Sequence, residues 1–325
     1  MSSASPLPVI PASAFGVVLG LAGLAGAWRA AHQVWAYPEA VGEALMLVAA
    51  VVWLVLVVLY GLKWMLIADE AQAEVRHPIQ CCFVGLIGVT TMLIAGGALP
   101  YSWLAAEILF GFGAAWTILF AVWRIGGLWQ GGRDVAATTP VLYLPTVAGS
   151  FVFANVGSTL GLVDVGQIAF GAGLLGWLAV DSVLWHRFYV GPEMAPALRP
   201  TMGIQMAPPV VGLLAYLSVT SGIPDLWAHA FLGYGILMAL VVLRMLLWVM
   251  QQPFSLSYWA FSFGAASIAG APARMIARGD TGAVVEMAPY LFAAGNVAIG
   301  ILVLGTLRLA INGQLLPKPL VAVQS

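Results

Sequence analysis

The sequence predicts an all-α integral membrane protein, and three observations carry that prediction. Of 325 residues, 62% are hydrophobic and only 8% are charged, against about 25% charged in a soluble domain. Apolar runs long enough for a helix of about 20 residues to cross a bilayer recur from end to end. None shows the alternating pattern of roughly ten-residue segments that marks a membrane β-barrel.

In chain order, ten spans are expected, at roughly 13–36, 41–66, 78–99, 101–125, 141–162, 165–188, 201–222, 226–250, 254–276 and 283–311. The loops between them are short. The chain therefore reads as one transmembrane domain over 1–325, with 1–12 a short N-terminal tail and 312–325 a C-terminal one. The opening MSSASPLPVIPASAFG contains no Lys or Arg, which argues against a cleavable signal peptide.

Cations set the expected orientation. Lys63, Arg76, Arg124, Arg133, Arg187, Arg199, Arg244, Arg308 and Lys318 fall on one side, and only Arg29, Arg274 and Arg278 on the other. Both termini are then cytoplasmic, as an even number of spans requires.

The odd and even spans differ. The odd ones contain uncharged stretches at 13–28, 79–100, 141–163, 201–223 and 254–273, and begin 53–65 residues apart. Each even span ends in a cation: Lys63, Arg124, Arg187, Arg244 and Arg308. Five helical hairpins in one orientation suggest similar units around an axis, although any alternating topology imposes part of this pattern. The odd spans are also rich in small residues, among them Gly16, Gly20, Gly23, Gly26, Gly85, Gly88, Gly149 and Gly203. Small residues let helices approach closely in lipid. Pro145 and Pro208 permit kinks whose freed backbone groups need protein or water nearby. The odd spans are therefore expected inside and the even ones outside. Dense packing without a path competes with a pore at this point.

The ninth span holds SLSYWAFSFGAAS (255–267). Continued as an α-helix, the face of Phe261 carries Ser257, Gly264, Ala265 and Ile268. One large ring then stands on a stripe of mostly small residues. It either plugs a narrow pore, which can gate by dewetting, or fills a gap between helices.

Other chemistry is sparse. The net charge of −1 and the lack of a basic tract argue against nucleic acid. Cys81 and Cys82 are adjacent and read as buried thiols. His32, His77, His186 and His229 are scattered near span ends, with no paired depth for haem. The glycine-rich GGLWQGGRD (126–134) lacks a P-loop lysine and reads as a turn. No cofactor, metal or enzymatic role is indicated. Glu107 and Glu286 lie near span starts and suit snorkelling or capping. Asp181 is deeper, and a contact between hairpins or protomers is expected for it, since an acid in a span costs about 2.5–3.5 kcal/mol on insertion scales unless paired.

Several segments resemble the TehA family of bacterial tellurite-resistance and C4-dicarboxylate transporters, relatives of plant guard-cell slow anion channels. They are FGVVLGLAGLAGAW (15–28), HPIQCCF (77–83), TTML (90–93), LWQGG (128–132), YLPTVA (143–148), FGAGLLGW (170–177), RPTMGIQMAP (199–208), WAFSFGAAS (259–267) and GNVAIGILVL (295–304). The resemblance implies ten helices in five hairpins, quasi-five-fold around a central pore, and a homotrimer with one pore per protomer in the bacterial inner membrane. It implies a pore-occluding phenylalanine on the ninth helix, matched to Phe261, and a further aromatic position matched to Phe83. Phe15, Gly16, Gly20, Phe151, Ser257 and Gly264 complete the expected lining, with kinks at Pro145 and Pro208.

The expected function is a gated channel for small monovalent anions such as chloride or nitrate. The N-termini of five odd helices, each partly positive, would gather at the cytoplasmic mouth and favour an anion. The alternative is a proton-coupled transporter or exporter of C4-dicarboxylates or oxyanions such as tellurite. Carriers usually need a titratable group on the path, and the odd spans have none.

Overall fold

The computed structural model describes residues 9–315. The tail expected at 1–12 lies largely outside these, as do Lys318 and most of the C-terminal tail. Among the described residues the chain is helical, with no strand. The helices are α1 (Ala12–Trp35), α2 (Glu39–Leu66), α3 (Ala68–Arg76), α4 (Gln80–Ala98), α5 (Trp103–Trp129), α6 (Pro140–Thr159), α7 (Val163–Val190), α8 (Pro196–Val219), α9 (Leu226–Val249), α10 (256–277) and α11 (Ala283–Ile311).

Nine of these are long and apolar enough to cross a membrane. The segment expected as the ninth of ten spans is helical as α10 but is not among the nine. Its serines, Arg274 and an internal Pro272 dilute its apolar character. The short α3 is absent from the sequence-based expectation, because its ADEAQAEVR reads as a polar loop.

Burial separates two classes of helix. In α1, α4, α6 and α8, 67–83% of the most apolar stretch is buried, whereas in α2, α5, α7, α9 and α11 the share is 17–33%. The second class exposes Leu47, Leu54, Ile108, Leu119, Leu175, Leu247 and Leu304, as lipid-facing helices do. α10 belongs with the first class: Ser262 through Ala273 are all buried. The buried helices adjoin in a closed order, α1 on α4, α4 on α6, α6 on α8, α8 on α10 and α10 on α1. Each outer helix packs on the inner helix that precedes it and also touches the next inner one.

Glycine makes these approaches close. A Cβ at Gly20 would stand 2.5 Å from that of Ser262, and one at Gly270 would stand 3.0 Å from Ala27. The α1–α10 contact therefore depends on bare backbone at both positions.

The inner helices share a second feature. Each opens in non-α geometry: 3-10 turns at Ala12–Phe15, Gln80–Gly85, Pro140–Leu142, Pro196–Met206 and Leu256–Phe261, with a π stretch at Leu144–Ala148. Such backbone is tolerated at membrane depth only where protein or a cavity surrounds it. Pro145 lies within the π stretch, and Pro208 lies at the 3-10-to-α junction of α8, in the first α turn, where a missing N–H costs nothing.

The cations that end the outer helices tie down the entry to their own hairpins. Lys63 donates to the Ile10 carbonyl (3.3 Å), Arg124 to Pro78 (2.9 Å) and Arg187 to Val135 (3.1 Å). The hydrogen bonds repeat in three successive hairpins, so the cation pattern has a local cause as well as a topological one. Of the segment 126–134 read as a turn, 126–129 form the end of α5, and the chain leaves the helix after Trp129, with Gly131 and Gly132 at φ of 79° and 73°.

Candidate functional site

A small cavity of about 50 Å³ lies inside the ring of inner helices and is walled by the opening turns of all five. It has room for only a few waters. Its wall includes Ser13, Gly16 and Leu19 of α1, Phe83 and Leu86 of α4, and Tyr143, Val147 and Phe151 of α6. It continues with Ile204 and Pro208 of α8 and with Leu256, Ser257, Trp259, Ala260 and Phe263 of α10. No charged side chain lies among the lining residues.

The α10 wall is set by its backbone. Over Leu256–Phe261 the turns are 3-10, which advance three residues per turn rather than 3.6. Positions 256 and 259, and 257 and 260, therefore align in two adjacent rows, and these four line the cavity together with Phe263 from the first α turn. Phe261, which α-helical spacing left as a pore plug or a gap-filler and which the resemblance matched to the occluding position, is not on this wall. Its ring stacks on Tyr258 at 6.3 Å and packs with Met206, Met238 and Val242. The phase difference between the two helix types accounts for the correction.

Of the other expected lining residues, Gly16, Phe83, Phe151 and Ser257 are on the wall. Phe15, Gly20 and Gly264 are not. Phe15 is fully buried and meets Tyr60 of α2 edge-on at 6.2 Å. Gly20 lies against Trp259 and Ser262, and Gly264 against Met206 and the Ala207 backbone. These glycines serve helix contact, not the axis. Tyr143 was missed by sequence reasoning, though its place in YLPTVA beside Pro145 was a signal.

Tyr143 connects the cavity to Asp181. Its hydroxyl donates to one carboxylate oxygen of Asp181, which also accepts from Gln205 Nε2 at 2.8 Å; the other accepts from Tyr234 at 3.2 Å. Asp181 is thus a junction of α6, α7, α8 and α9, as the expected contact between hairpins required. Glu107 and Glu286 are exposed near the starts of α5 and α11.

A second, larger space of about 520 Å³ opens at the other ends of the same five helices. Its wall includes Gly26 and Arg29 of α1, Gly96 of α4, Asn155 and Thr159 of α6, Ser218 of α8, and Arg274 and Arg278 of α10. No residue lines both spaces. On α1 the cavity ends at Leu19 and the vestibule begins at Ala22, and a Cβ at Gly23 would meet the Phe263 ring at 3.5 Å. Phe263 therefore borders the closed stretch between them.

The inner helices run in parallel, since their openings wall one space and their ends the other. The first mouth is not a bare set of helix N-termini, however. The Ala12 N–H is already bonded to Glu74 Oε1 at 2.7 Å, and Glu74 is buried with Lys63 at 2.8 Å.

Comparison with known proteins places these features. The family described as SLAC1, voltage-dependent anion channel, matches residues 10–307. The chain is 36% identical to the tellurite resistance protein TehA homolog of Haemophilus influenzae, over 98% of this chain and 96% of that protein. It is 24% identical to the S-type anion channel SLAH2 of Arabidopsis thaliana, over 80% of this chain and 51% of that protein. An uncharacterized transporter of Methanocaldococcus jannaschii is 23% identical over 62% of this chain and 65% of its own length.

Proposed function

Because the chain belongs to the SLAC1 family of voltage-dependent anion channels, we propose that it is a gated channel for small monovalent anions such as chloride and nitrate. In this reading α10 is the ninth of ten spans. The five hairpins then surround a pore quasi-five-fold, and the protein is a homotrimer in the bacterial inner membrane with both termini cytoplasmic. The observation that carries the reading is the position of Phe263, on the cavity wall at the border of two spaces that share no lining residue.

The physics of closure follows from that position. A narrow, uncharged, aromatic-bordered neck holds too little water to hydrate an ion and stays shut by dewetting. An uncharged wall also binds an anion weakly, which suits passage more than retention. Gating is thereby assigned to Phe263 in place of Phe261.

A coupled carrier of C4-dicarboxylates or oxyanions has one observation in its favour: Asp181 lies one hydrogen bond behind the cavity wall, through Tyr143. Its carboxylate is engaged by three donors from three other helices, which favours a structural contact between hairpins.

Anion currents in planar bilayers test the proposal, with wild type, Phe263→Ala and Phe261→Ala compared in chloride and nitrate. A small wild-type current, a much larger one for Phe263→Ala, and little change for Phe261→Ala are expected. Equal, negligible currents in well-folded samples of all three would reject the channel.

A further inference from the structure

The larger vestibule stands where five inner helices end, and helix ends are partly negative, equivalent to about half an elementary charge each. Unmodified, that mouth would repel anions. Its wall nevertheless carries three arginines and no acid among the lining residues.

The three are held differently. Arg29 is neutralised by a two-point pair with Glu43, both contacts 2.7 Å, and donates to the Gly97 carbonyl at the end of α4 (3.2 Å). Arg278 donates only to neutral oxygens: the Leu217 and Gly222 carbonyls, both at 2.8 Å, and the Thr220 hydroxyl at 3.2 Å. Arg274 makes a single hydrogen bond, to Asn155 Oδ1 at 3.0 Å. None of the ion pairs seen among the described residues includes Arg274 or Arg278. The nearby Asp225 is occupied by the Tyr216 hydroxyl (2.6 Å) and by the N–H groups of Trp227 and Ala228.

Arg274, in the last turn of α10, and Arg278, the residue that follows the helix, are also four positions apart. Like charges at that spacing destabilise a helix, and no acid between them offsets this. Two uncompensated guanidinium groups with spare donors thus face a recess that also presents Asn155, Thr159 and Ser218.

We propose that Arg274 and Arg278 make this vestibule a capture site for a small inorganic anion, which reverses the potential of the helix ends and concentrates the anion before the neck. The proposal rests on the channel reading for its purpose but not for its test. Arg274 is the discriminating residue, because most of its donors are free for a ligand, whereas those of Arg278 hold helix ends.

The test uses bromide. Crystals of the full chain, wild type, Arg274→Gln and Arg274→Lys, are soaked in bromide and its anomalous scattering is mapped. A peak at the Arg274 guanidinium in wild type, lost in Arg274→Gln and retained in Arg274→Lys, is expected. Melting curves establish that each variant is folded. No peak in the wild-type vestibule, or one that persists in Arg274→Gln, overturns the site.

Currents then separate the two readings. In a Phe263→Ala background, adding Arg274→Gln should cut chloride conductance about tenfold at about 0.01 M salt and by less than about twofold at about 1 M, because screening shortens the reach of the charge. An equal reduction at both ionic strengths overturns electrostatic capture. Bromide bound at Arg274 in a protein whose Phe263→Ala variant carries no current would sustain the site and reject the channel.

Discussion

Gly203 and Phe261 occupy one place: a Cβ at Gly203 would stand 2.5 Å from Cγ of the Phe261 ring. The ring takes the space that any other residue would need. α8 and α10 can then approach closely here, and Phe261 is held against Met206 and Met238, away from the axis. Gly203→Ala is expected to destabilise the protein by about 1–3 kcal/mol through overpacking. Phe261→Ala in the same chain should relieve the ring part of the clash but not the 2.7 Å approach to the Phe261 backbone N, so the double variant should recover part of the loss and fall short of the sum of the two losses. Thermal melting in detergent checks this, and strict additivity would show that the two positions do not share a constraint.

The same pair shows what was legible beforehand. The inner and outer classes of helix were readable because apolar runs, glycines and terminal cations act over whole helices, and a boundary error of a few residues does not disturb them. Gly16, Phe83, Phe151 and Ser257 reach the cavity wall from the uncharged stretches of the small-residue helices, which are likewise visible over many residues. The resemblance matched the occluding ring to Phe261, and which ring of WAFSF meets the axis turns on the phase of one helix face. That phase depends on whether the preceding turns are 3-10 or α, and SLSYWAF carries no local signal for either. The roles of Asn155 and Arg274 were hidden too, since they meet across 119 positions of chain.

Asp181 supports a further expectation. Its carboxylate accepts from Tyr143, Gln205 and Tyr234, so Asp181→Ala leaves the two tyrosine hydroxyls without this acceptor, while Gln205 Nε2 keeps the Tyr143 oxygen at 2.9 Å. A buried polar group left unpaired costs about 1–3 kcal/mol, and the melting temperature should fall clearly. Tyr143→Phe should cost less, because it removes one donor and leaves the carboxylate two others. In the Phe263→Ala background, Asp181→Asn should leave chloride conductance and its pH dependence unchanged. Loss of a proton-driven flux in that variant would instead support the coupled carrier.

Lys63 and Glu74 make a buried pair at 2.8 Å, both less than about one-tenth exposed. Glu74 also accepts from the Tyr60 hydroxyl at 3.1 Å and from Ala12 N–H, so it joins α1, α2 and α3. Removal of one partner leaves an uncompensated buried charge, which typically costs about 3–5 kcal/mol, whereas replacement of both by apolar groups can be neutral. Glu74→Leu is therefore expected to be severely destabilised, and Lys63→Met with Glu74→Leu much less so. Melting of the three proteins at one pH decides it. If the double variant is as poor as the single one, the Ala12 contact and not the charge dominates.

His77 gives the protein a predictable response to acid. Its Nδ1 accepts from the N–H groups of Ile79 and Gln80, both at 3.2 Å, and so caps the opening turns of α4. Only the neutral ring can accept there. Burial holds the folded pKa below the ordinary 6.5, against the opposing pull of Glu74. The unfolded chain therefore takes up the proton first. This contribution to stability is intact above about 6.5, declines as pH falls toward the folded pKa, and is fully lost below it. The chain holds three further histidines, His32, His186 and His229, so a variant is needed to isolate His77. Asn at position 77 offers an oxygen acceptor that does not titrate. Between pH of about 8 and about 5.5, the melting temperature of wild type should fall more than that of His77→Asn. Parallel declines in the two proteins would assign the acid sensitivity to other groups.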